Sequence, residues 1–336
     1  MKEKQFLSQV VVVTGASAGL GRAIAREFGR HGAKVALLAR GEDGLEAARQ
    51  EVEALGGEAL AVPTDVGQAD QVEKAAQQIE DTWGPIDIWV NNAMNSVFAP
   101  AKEVSPDDFK RVTEVTYLGQ VYGTMAAMKR MLPRDYGIIM HVGSALAYRG
   151  IPLQSAYCGA KHGIQGFFES VRAELLHDRS NVHLGMVQLP AMNTTQFGWV
   201  KSKLPNKPRP MGTIYQPEVA ARAVAYAALH RKREMYVGYP TWQTIVGNKV
   251  IPGLLDCYLA KVGYTGQQTD QPEDPNRKNN LWEPVPGDHG AHGTFGAQSW
   301  SFSPVLWGAT HKWLTLAGIA AVAAGVGAAL TKYGSK

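Results

Sequence analysis

Residues 10–21 read Val-Val-Val-Val-Thr-Gly-Ala-Ser-Ala-Gly-Leu-Gly, and this stretch decides the fold. The β-branched run predicts a buried strand, and residues 23–29 after the small-residue turn have apolar side chains at helical spacing. A strand, a tight turn and a helix suit a dinucleotide, because the backbone can approach a pyrophosphate and the helix N-terminus offers free N–H groups. The alternative is a glycine-rich turn without a ligand. We expect contacts to the nucleotide from Gly15, Ser17, Ala18, Gly19, Leu20 and Gly21.

The alternation of strand and helix continues along the first 240 residues. Predicted strands cover 34–39, 58–64, 86–91, 137–142, 182–188 and 234–237, and predicted helices cover 43–55, 68–83, 107–132, 157–177 and 217–231. This alternation indicates parallel strands joined by right-handed crossovers, with helices on both faces. The predicted fold class is α/β, a doubly wound parallel sheet (Rossmann-like) with a C-terminal extension and a candidate terminal transmembrane helix.

Length and composition exclude several classes of protein. The chain has 336 residues, of which 45% are hydrophobic and 19% charged, as in ordinary globular proteins. The net charge of +4 is too small and too scattered for a nucleic-acid partner. Two cysteines, Cys158 and Cys257, cannot form a disulfide framework or a four-cysteine zinc site, and we expect no metal. The charged N-terminus runs directly into a strand, so we expect a cytoplasmic catalytic domain.

The end of the second predicted strand distinguishes two dinucleotides. NAD sites usually carry an acid there, which accepts a hydrogen bond from the ribose 2′-OH. This chain has Leu38-Ala39-Arg40 instead. A guanidinium can bind a 2′-phosphate through forked, charge-assisted hydrogen bonds, so Arg40, with Arg22 as a second contact, favours NADP (NADPH) over NAD. Alternatively, both arginines are solvated surface charges.

Several motifs in order, and at the right spacing, make residues 10–238 resemble the short-chain dehydrogenase/reductase family. They are Thr14-Gly-x-x-x-Gly-x-Gly21, Asp65-Val66, Asn91-Asn92-Ala93, Ser144 and Tyr157-x-x-x-Lys161. The resemblance implies a Rossmann-like subunit of a homo-oligomer that moves hydride between nicotinamide and a small-molecule carbonyl or alcohol. It implies Asp65 near the adenine and Asn91 at the floor of the cofactor site. The cofactor contacts that it implies are Asp65, Val66, Asn91, Ala93, Tyr157, Lys161 and Pro190.

The chemistry of three residues supports a catalytic interpretation. Carbonyl reduction needs a proton donor at the oxygen while hydride reaches the carbon. The Tyr157 hydroxyl has an ordinary pKa near 10, too high for a base at neutral pH. Lys161 lies one helical turn further on, so we expect its ammonium to lower that pKa, and the resemblance adds a contact to the nicotinamide ribose. Ser144 is expected to hold the substrate oxygen. Singly, each residue is better explained as a core aromatic, a surface lysine or a turn serine.

The sequence departs from the family pattern at Thr116, within Val115-Thr-Tyr-Leu-Gly119. The family has an asparagine there, which is thought to hold a helix kink and a proton-relay water largely through its main-chain carbonyl. Threonine keeps the carbonyl, and its hydroxyl can bond back within the helix. We therefore include Thr116 as a substituted fourth catalytic residue. His141, His162 and Cys158 are expected to be structural.

The sequence divides into four predicted regions. Residues 1–240 are predicted to form a Rossmann-like NADP-binding catalytic domain, and 241–262 a helical substrate-side segment. Residues 263–305 are predicted to form a polar irregular extension that wraps the domain or trails as a linker, and 306–336 a hydrophobic C-terminal helix.

Apolar and aromatic residues in 191–214 and 239–262 favour a lipophilic substrate, although they suit packing or a subunit contact equally well.

The C-terminal helix contains the chain's membrane candidate. Residues 313–331 are 19 residues without a charge, about 28 Å long as a helix. Lysines and aromatic residues flank them, as in membrane anchors, whereas their many alanines and glycines favour insertion only weakly. The alternative is a helix docked on the domain or at a dimer interface.

The second functional hypothesis for the whole chain is a non-catalytic NADP-binding scaffold or sensor.

Overall fold

Seven parallel strands form the central sheet of the computed structural model, which describes residues 5–311 and 313–315. In chain order they are β1 (Val10–Thr14), β2 (Lys34–Ala39), β3 (Glu58–Pro63), β4 (Ile88–Asn91), β5 (Ile138–Val142), β6 (His183–Gln188) and β7 (Glu234–Tyr236). Their order across the sheet is β7-β6-β5-β4-β1-β2-β3. Every neighbouring pair is parallel, so the predicted Rossmann-like sheet is confirmed.

Helices connect successive strands and cover both faces. The elements are α1 (Gly19–Arg30), α2 (Glu42–Ala54), α3 (Ala69–Trp83), α4 (Pro106–Val112), α5 (Gly119–Met131), α6 (Ser155–His177), α7 (Gln196–Trp199), α8 (Pro217–Leu229), α9 (Tyr239–Val250), α10 (Pro252–Val262) and α11 (Pro304–Thr310). In β1, Val11 and Val13 pack in the cluster that contains α1 and α8, while Val10 and Val12 pack with α3, α5 and α6. Successive side chains of a strand point to opposite faces, so one valine run fills both layers of the core.

The helix predicted over 107–132 is interrupted. A π-helical stretch, Thr113–Leu118, separates α4 from α5. Within it the Thr116 hydroxyl donates to the Asn95 carbonyl (2.8 Å) and accepts from the Asn95 amide (3.0 Å). The expectation that this hydroxyl bonds back within its own helix is wrong. The wider turn directs Thr116 towards the loop after β4 instead.

The extension over 263–305 packs against the domain. Gln268–Pro272 pairs antiparallel with Asn206–Pro208, and the Leu281 and Ala291 side chains are buried. Of the two arrangements that the sequence left open, wrapping is the one observed.

The membrane candidate lies outside most of the structure. Of residues 313–331, only 313–315 belong to the described part of the chain. In that described part, no helix combines the length and the apolar character that a membrane crossing requires. The anchor over 313–331, and the homo-oligomer that the resemblance implies, both stay predictions.

Two glycines on neighbouring helices allow a matched test of the packing. A Cβ at Gly123 in α5 would lie 2.2 Å from Asn91 Oδ1 and 2.6 Å from Trp89 Nε1, whereas a Cβ at Gly166 in α6 would meet nothing within 4 Å. We expect Gly123→Ala to lower the free energy of unfolding by about 1–3 kcal/mol through overpacking. Gly166→Ala should raise it by up to ~1 kcal/mol through helix propensity. Urea unfolding of both variants checks this, and two equal effects would contradict the packing described here.

Candidate active site

A cavity of about 740 Å³ opens where the strands end. Its walls include residues directly after β1, β2, β3, β4, β5 and β6. The crevice at the carboxyl ends of a doubly wound sheet is where such folds bind ligands. The predicted site residues that line this cavity are Gly15, Ser17, Ala18, Gly19, Leu20, Gly21, Arg40, Asp65, Val66, Ala93, Ser144, Tyr157, Lys161 and Pro190.

The loop between β1 and α1 has the shape of an anion cradle. Gly15 and Gly19 have φ values of +69° and +57°, which side chains rarely adopt, and a Cβ at Gly21 would lie 2.1 Å from the Gly15 carbonyl oxygen. Helix α1 has no side-chain cap at Ala18 and no acid in its first turn. A helix N-terminus of this kind attracts phosphate oxygens. The residues present therefore fit the pyrophosphate of a dinucleotide.

Tyr157, Lys161 and Ser144 meet on one side of the cavity. Lys161 is 2% exposed, its Nζ donates to the Val142 carbonyl (2.7 Å) and it lies 5.6 Å from the centroid of the Tyr157 ring. Burial lowers the pKa of Lys161 to about 7. Burial also raises the pKa of the Tyr157 hydroxyl, and a hydrogen bond with Ser144 opposes that rise. The ammonium faces the Tyr157 ring and the Val142 carbonyl, and the expected lowering of the Tyr157 pKa by Lys161 stays a prediction.

Gln188 fixes the main chain of Ser144 and was missed by sequence reasoning. This fully buried glutamine at the end of β6 accepts from the Ser144 amide (2.7 Å). Its Nε2 atom donates to Gln165 (3.0 Å) and to the Glu234 carboxylate (2.8 Å). A polar side chain closing an apolar strand is the signal that would have found it.

Arg40 lines the cavity, with its guanidinium bound by the extension. It donates to the main-chain carbonyls of Asn280 (2.5 Å), Leu281 (3.5 Å) and Trp282 (2.5 Å). Arg22 is 2% exposed, and it pairs with Glu51 (2.9 Å) and Asp288. The alternative that both arginines are solvated surface charges is therefore wrong.

Three predicted site residues lie behind the cavity wall instead of on it. Asn91 is fully buried, donates to Thr124 (3.0 Å) and accepts from Trp89 (2.9 Å). Thr116 is hydrogen-bonded to the main chain of Asn95, and Arg22 pairs with Glu51 and Asp288. Thr116 and Arg22 thus contact loops next to the cavity, whereas Asn91 joins β4 to α5.

The two histidines near the site have structural contacts. His141 is fully buried between Gln120 (2.7 Å) and Thr124 (3.2 Å), and burial lowers its pKa to about 3. His162 contacts the Cys158 carbonyl one turn back along α6 (2.8 Å). These contacts agree with the structural roles expected from the sequence.

The family model described as short chain dehydrogenase matches residues 9–203. The chain belongs to the short-chain dehydrogenase family. An uncharacterized oxidoreductase of Bacillus subtilis (strain 168), YxnA, is 35% identical over 86% of this chain and 82% of its own length. The 3-dehydrosphinganine reductase of Danio rerio is 34% identical over 65% of this chain and 68% of its own length.

A solved structure of an alcohol dehydrogenase has a similar fold. The X-ray structure of an alcohol dehydrogenase from the archaeon Thermococcus sibiricus, complexed with 5-hydroxy-NADP, is 27% identical, with a TM-score of 0.59. The structural match covers 68% of this chain and 96% of the archaeal chain. The family model and this structural match together show that the chain is an oxidoreductase of a family that uses a nicotinamide cofactor.

Beyond the family motifs, two segments of this short-chain dehydrogenase reach the cavity. The α9 and α10 pair contributes Pro240, Gln243, Thr244, Leu255, Tyr258 and Leu259. The extension contributes Asn280, Pro284, Val285, Gly287 and His289. The aromatic composition of 239–262 indicated the first segment, whereas the polar, aperiodic sequence of the second gave no signal.

The desolvation of Lys161 predicts a pH-dependent stability. Its pKa is 10.5 ordinarily and about 7 in the folded protein, so between these values the unfolded chain holds a proton that the folded protein has released. The free energy of unfolding should therefore rise from about pH 7 towards about pH 10. In Lys161→Met this component disappears, and the variant should be more stable than the wild type at pH 7 by ~1–4 kcal/mol.

Urea unfolding at several pH values, without added dinucleotide, measures this effect. Lys102→Met, at an exposed lysine, should keep the wild-type pH dependence. A Lys161→Met profile parallel to the wild type would show that the ammonium is not desolvated.

Proposed function

We propose that this chain is an NADP-dependent short-chain dehydrogenase that interconverts a lipophilic carbonyl and the corresponding alcohol. The observation that carries the proposal is the convergence of Ser144, Tyr157 and Lys161 on the cavity that the glycine-rich loop also lines. An acid/base, a cation and a hydroxyl beside a dinucleotide cradle match the requirements of hydride transfer to carbon with proton transfer at oxygen.

Each side chain has a separate role in this proposal. The bound nicotinamide supplies or accepts the hydride. Tyr157 gives its proton to the substrate oxygen in the direction of reduction, and the Ser144 hydroxyl holds that oxygen by a hydrogen bond. Lys161 stabilises the phenolate that remains and binds the nicotinamide ribose. Burial raises the pKa of Tyr157, so the phenol carries the proton that reduction requires.

The proposed substrate class follows from the apolar residues that line the cavity. Phe98, Met192, Phe197, Leu255 and Leu259 line it, and no Asp, Glu or Lys of α9 or α10 is among the lining residues. Apolar walls of this kind suit a lipophilic substrate better than a charged one. The Danio rerio relative, which acts by its name on 3-dehydrosphinganine, supports the reductive direction.

The proposed cofactor follows from Arg40, the cation at the end of β2. The Thermococcus sibiricus neighbour is complexed with 5-hydroxy-NADP, which supports the choice of NADP for this chain. A guanidinium has five N–H donors, so the three extension carbonyls leave donors for a 2′-phosphate.

Tyr157→Phe tests the catalytic proposal. With NADPH and a panel of lipophilic aldehydes and ketones, we expect kcat/KM to fall by at least about 100-fold, because the proton donor is lost. NADPH binding should be retained. Tyr226→Phe, in α8, is the control and should leave turnover unchanged. Full activity of Tyr157→Phe would remove the assigned role, and NADPH binding without turnover in the wild type would favour the scaffold hypothesis.

Arg40→Gln tests the cofactor. The wild type should bind NADPH more tightly than NADH, and the variant should lose about 10- to 100-fold in NADPH affinity, the value of a charge-assisted hydrogen bond. NADH affinity should change much less. Arg49→Gln on α2, whose guanidinium pairs with Glu46 and Glu53, is the control. Titration of each protein with both dinucleotides gives the comparison, and a wild type that prefers NADH would refute the choice of NADP.

A further inference from the structure

Residues 280–290, here called the strap, line the cavity beside Arg40. Leu281 anchors the strap: its side chain is fully buried in a small cluster with Val97, Val112 and Ala156. The neighbouring Trp282 packs on the outside, with its ring 5.7 Å from the Arg111 guanidinium and its Nε1 atom 3.3 Å from Asp108.

The first part of the strap binds cations of the domain through its backbone. The carbonyls of residues 280–282 accept from Arg40, and the Leu281 carbonyl also accepts from Arg111 Nε (3.2 Å) and Asn95 Nδ2 (3.4 Å). Arg111 in turn pairs with Asp65 (2.5 Å). Arg40 is thus fixed between the strap and the end of β2.

The last part of the strap is attached to the nucleotide loop. The Gly290 carbonyl accepts from the Gly19 amide (2.9 Å), and Asp288 pairs with Arg22 at the start of α1. The Gly287 amide donates to Asp43 in α2 (2.8 Å). Both ends of the strap are therefore joined to elements that carry predicted cofactor contacts.

The cavity remains open beneath these contacts. Five strap residues line it together with the glycine-rich loop, Asp65 and Tyr157. Asn280 is one of the five, and its buried Oδ1 atom finds no hydrogen-bond partner in the part of the chain that the structure describes. A buried, unpaired carbonyl oxygen costs free energy unless a bound donor satisfies it.

We propose that the strap is the outer wall of the dinucleotide site, enclosing the adenosine half of the cofactor and presenting Arg40 to it. This inference rests on the proposed function, since it needs a dinucleotide in the cavity. Because the strap is hydrogen-bonded to Arg40 at one end and to the Gly19 amide at the other, an adenosine half enclosed behind it leaves only when the strap detaches. Loosening the strap should therefore accelerate release.

The test compares two tryptophans of the extension in the full-length protein. Trp282 and Trp300 are both about half exposed, neither lines the cavity, and only Trp282 belongs to the strap. Stopped-flow measurement of NADPH release should show dissociation about tenfold faster in Trp282→Ala, since affinity changes appear mainly in the dissociation rate. Trp300→Ala should release NADPH at the wild-type rate. Leu281→Ala, which removes the buried anchor, should behave as Trp282→Ala does.

Hydrogen exchange supplies a readout that does not depend on activity. NADPH should protect the backbone amides of 280–290 in the wild type, and protect those of 268–272 much less. Unchanged release in both strap variants, or slower release, would overturn the proposal; unchanged release with faster NADPH association would identify the strap as a plug that competes with the cofactor. If the wild type binds neither NADPH nor NADH while a strap variant binds NADPH, the strap is a plug and the proposed function survives. If none of the proteins binds a dinucleotide, the proposed function fails and the strap proposal with it.

Discussion

The parallel direction of the seven central strands is the constraint on which the rest of the structure depends. Parallel strands all end at one edge of the sheet, so residues far apart in the sequence reach a common crevice. Gly15 after β1, Arg40 after β2, Asp65 after β3 and Ser144 after β5 all meet there. The sheet that carries them is buried on both faces, as the alternating contacts of residues 10–13 show.

Sequence reasoning succeeds where a local rule links spacing to position. The strands and helices follow from hydrophobic periodicity, and the four-residue spacing of Tyr157 and Lys161 places both side chains on one face of α6.

Prediction from sequence fails where contacts between distant parts of the chain determine the hydrogen-bond partner of a side chain. Thr116 bonds the loop after β4 and not its own helix, because the backbone widens to a π-helical turn at that point. Asn91 faces Trp89 and Thr124, because the strand alternation turns its side chain into the core.

The partners of Arg40 show a second limit. The carbonyls of residues 280–282 are main-chain groups, and any residue type can supply them. A polar segment without periodicity therefore gives no indication that it binds a buried cation. Side chains that mark such contacts, such as Leu281 and Asp288, look like ordinary loop residues until the fold brings them against Val97 and Arg22.

Lys161 connects stability with chemistry at this site. Its ammonium is buried, and its hydrogen bond to the Val142 carbonyl compensates only partly, so that at neutral pH the amine is near its titration point. An anion beside it, whether a phenolate or a phosphate-bearing ligand, favours the charged form and raises the pKa again. Desolvation thus disfavours the ammonium in the folded protein, and a neighbouring negative charge favours it. In the proposed reaction the same group would stabilise charge that develops at the Tyr157 oxygen, so one buried lysine lowers stability at neutral pH and serves the chemistry.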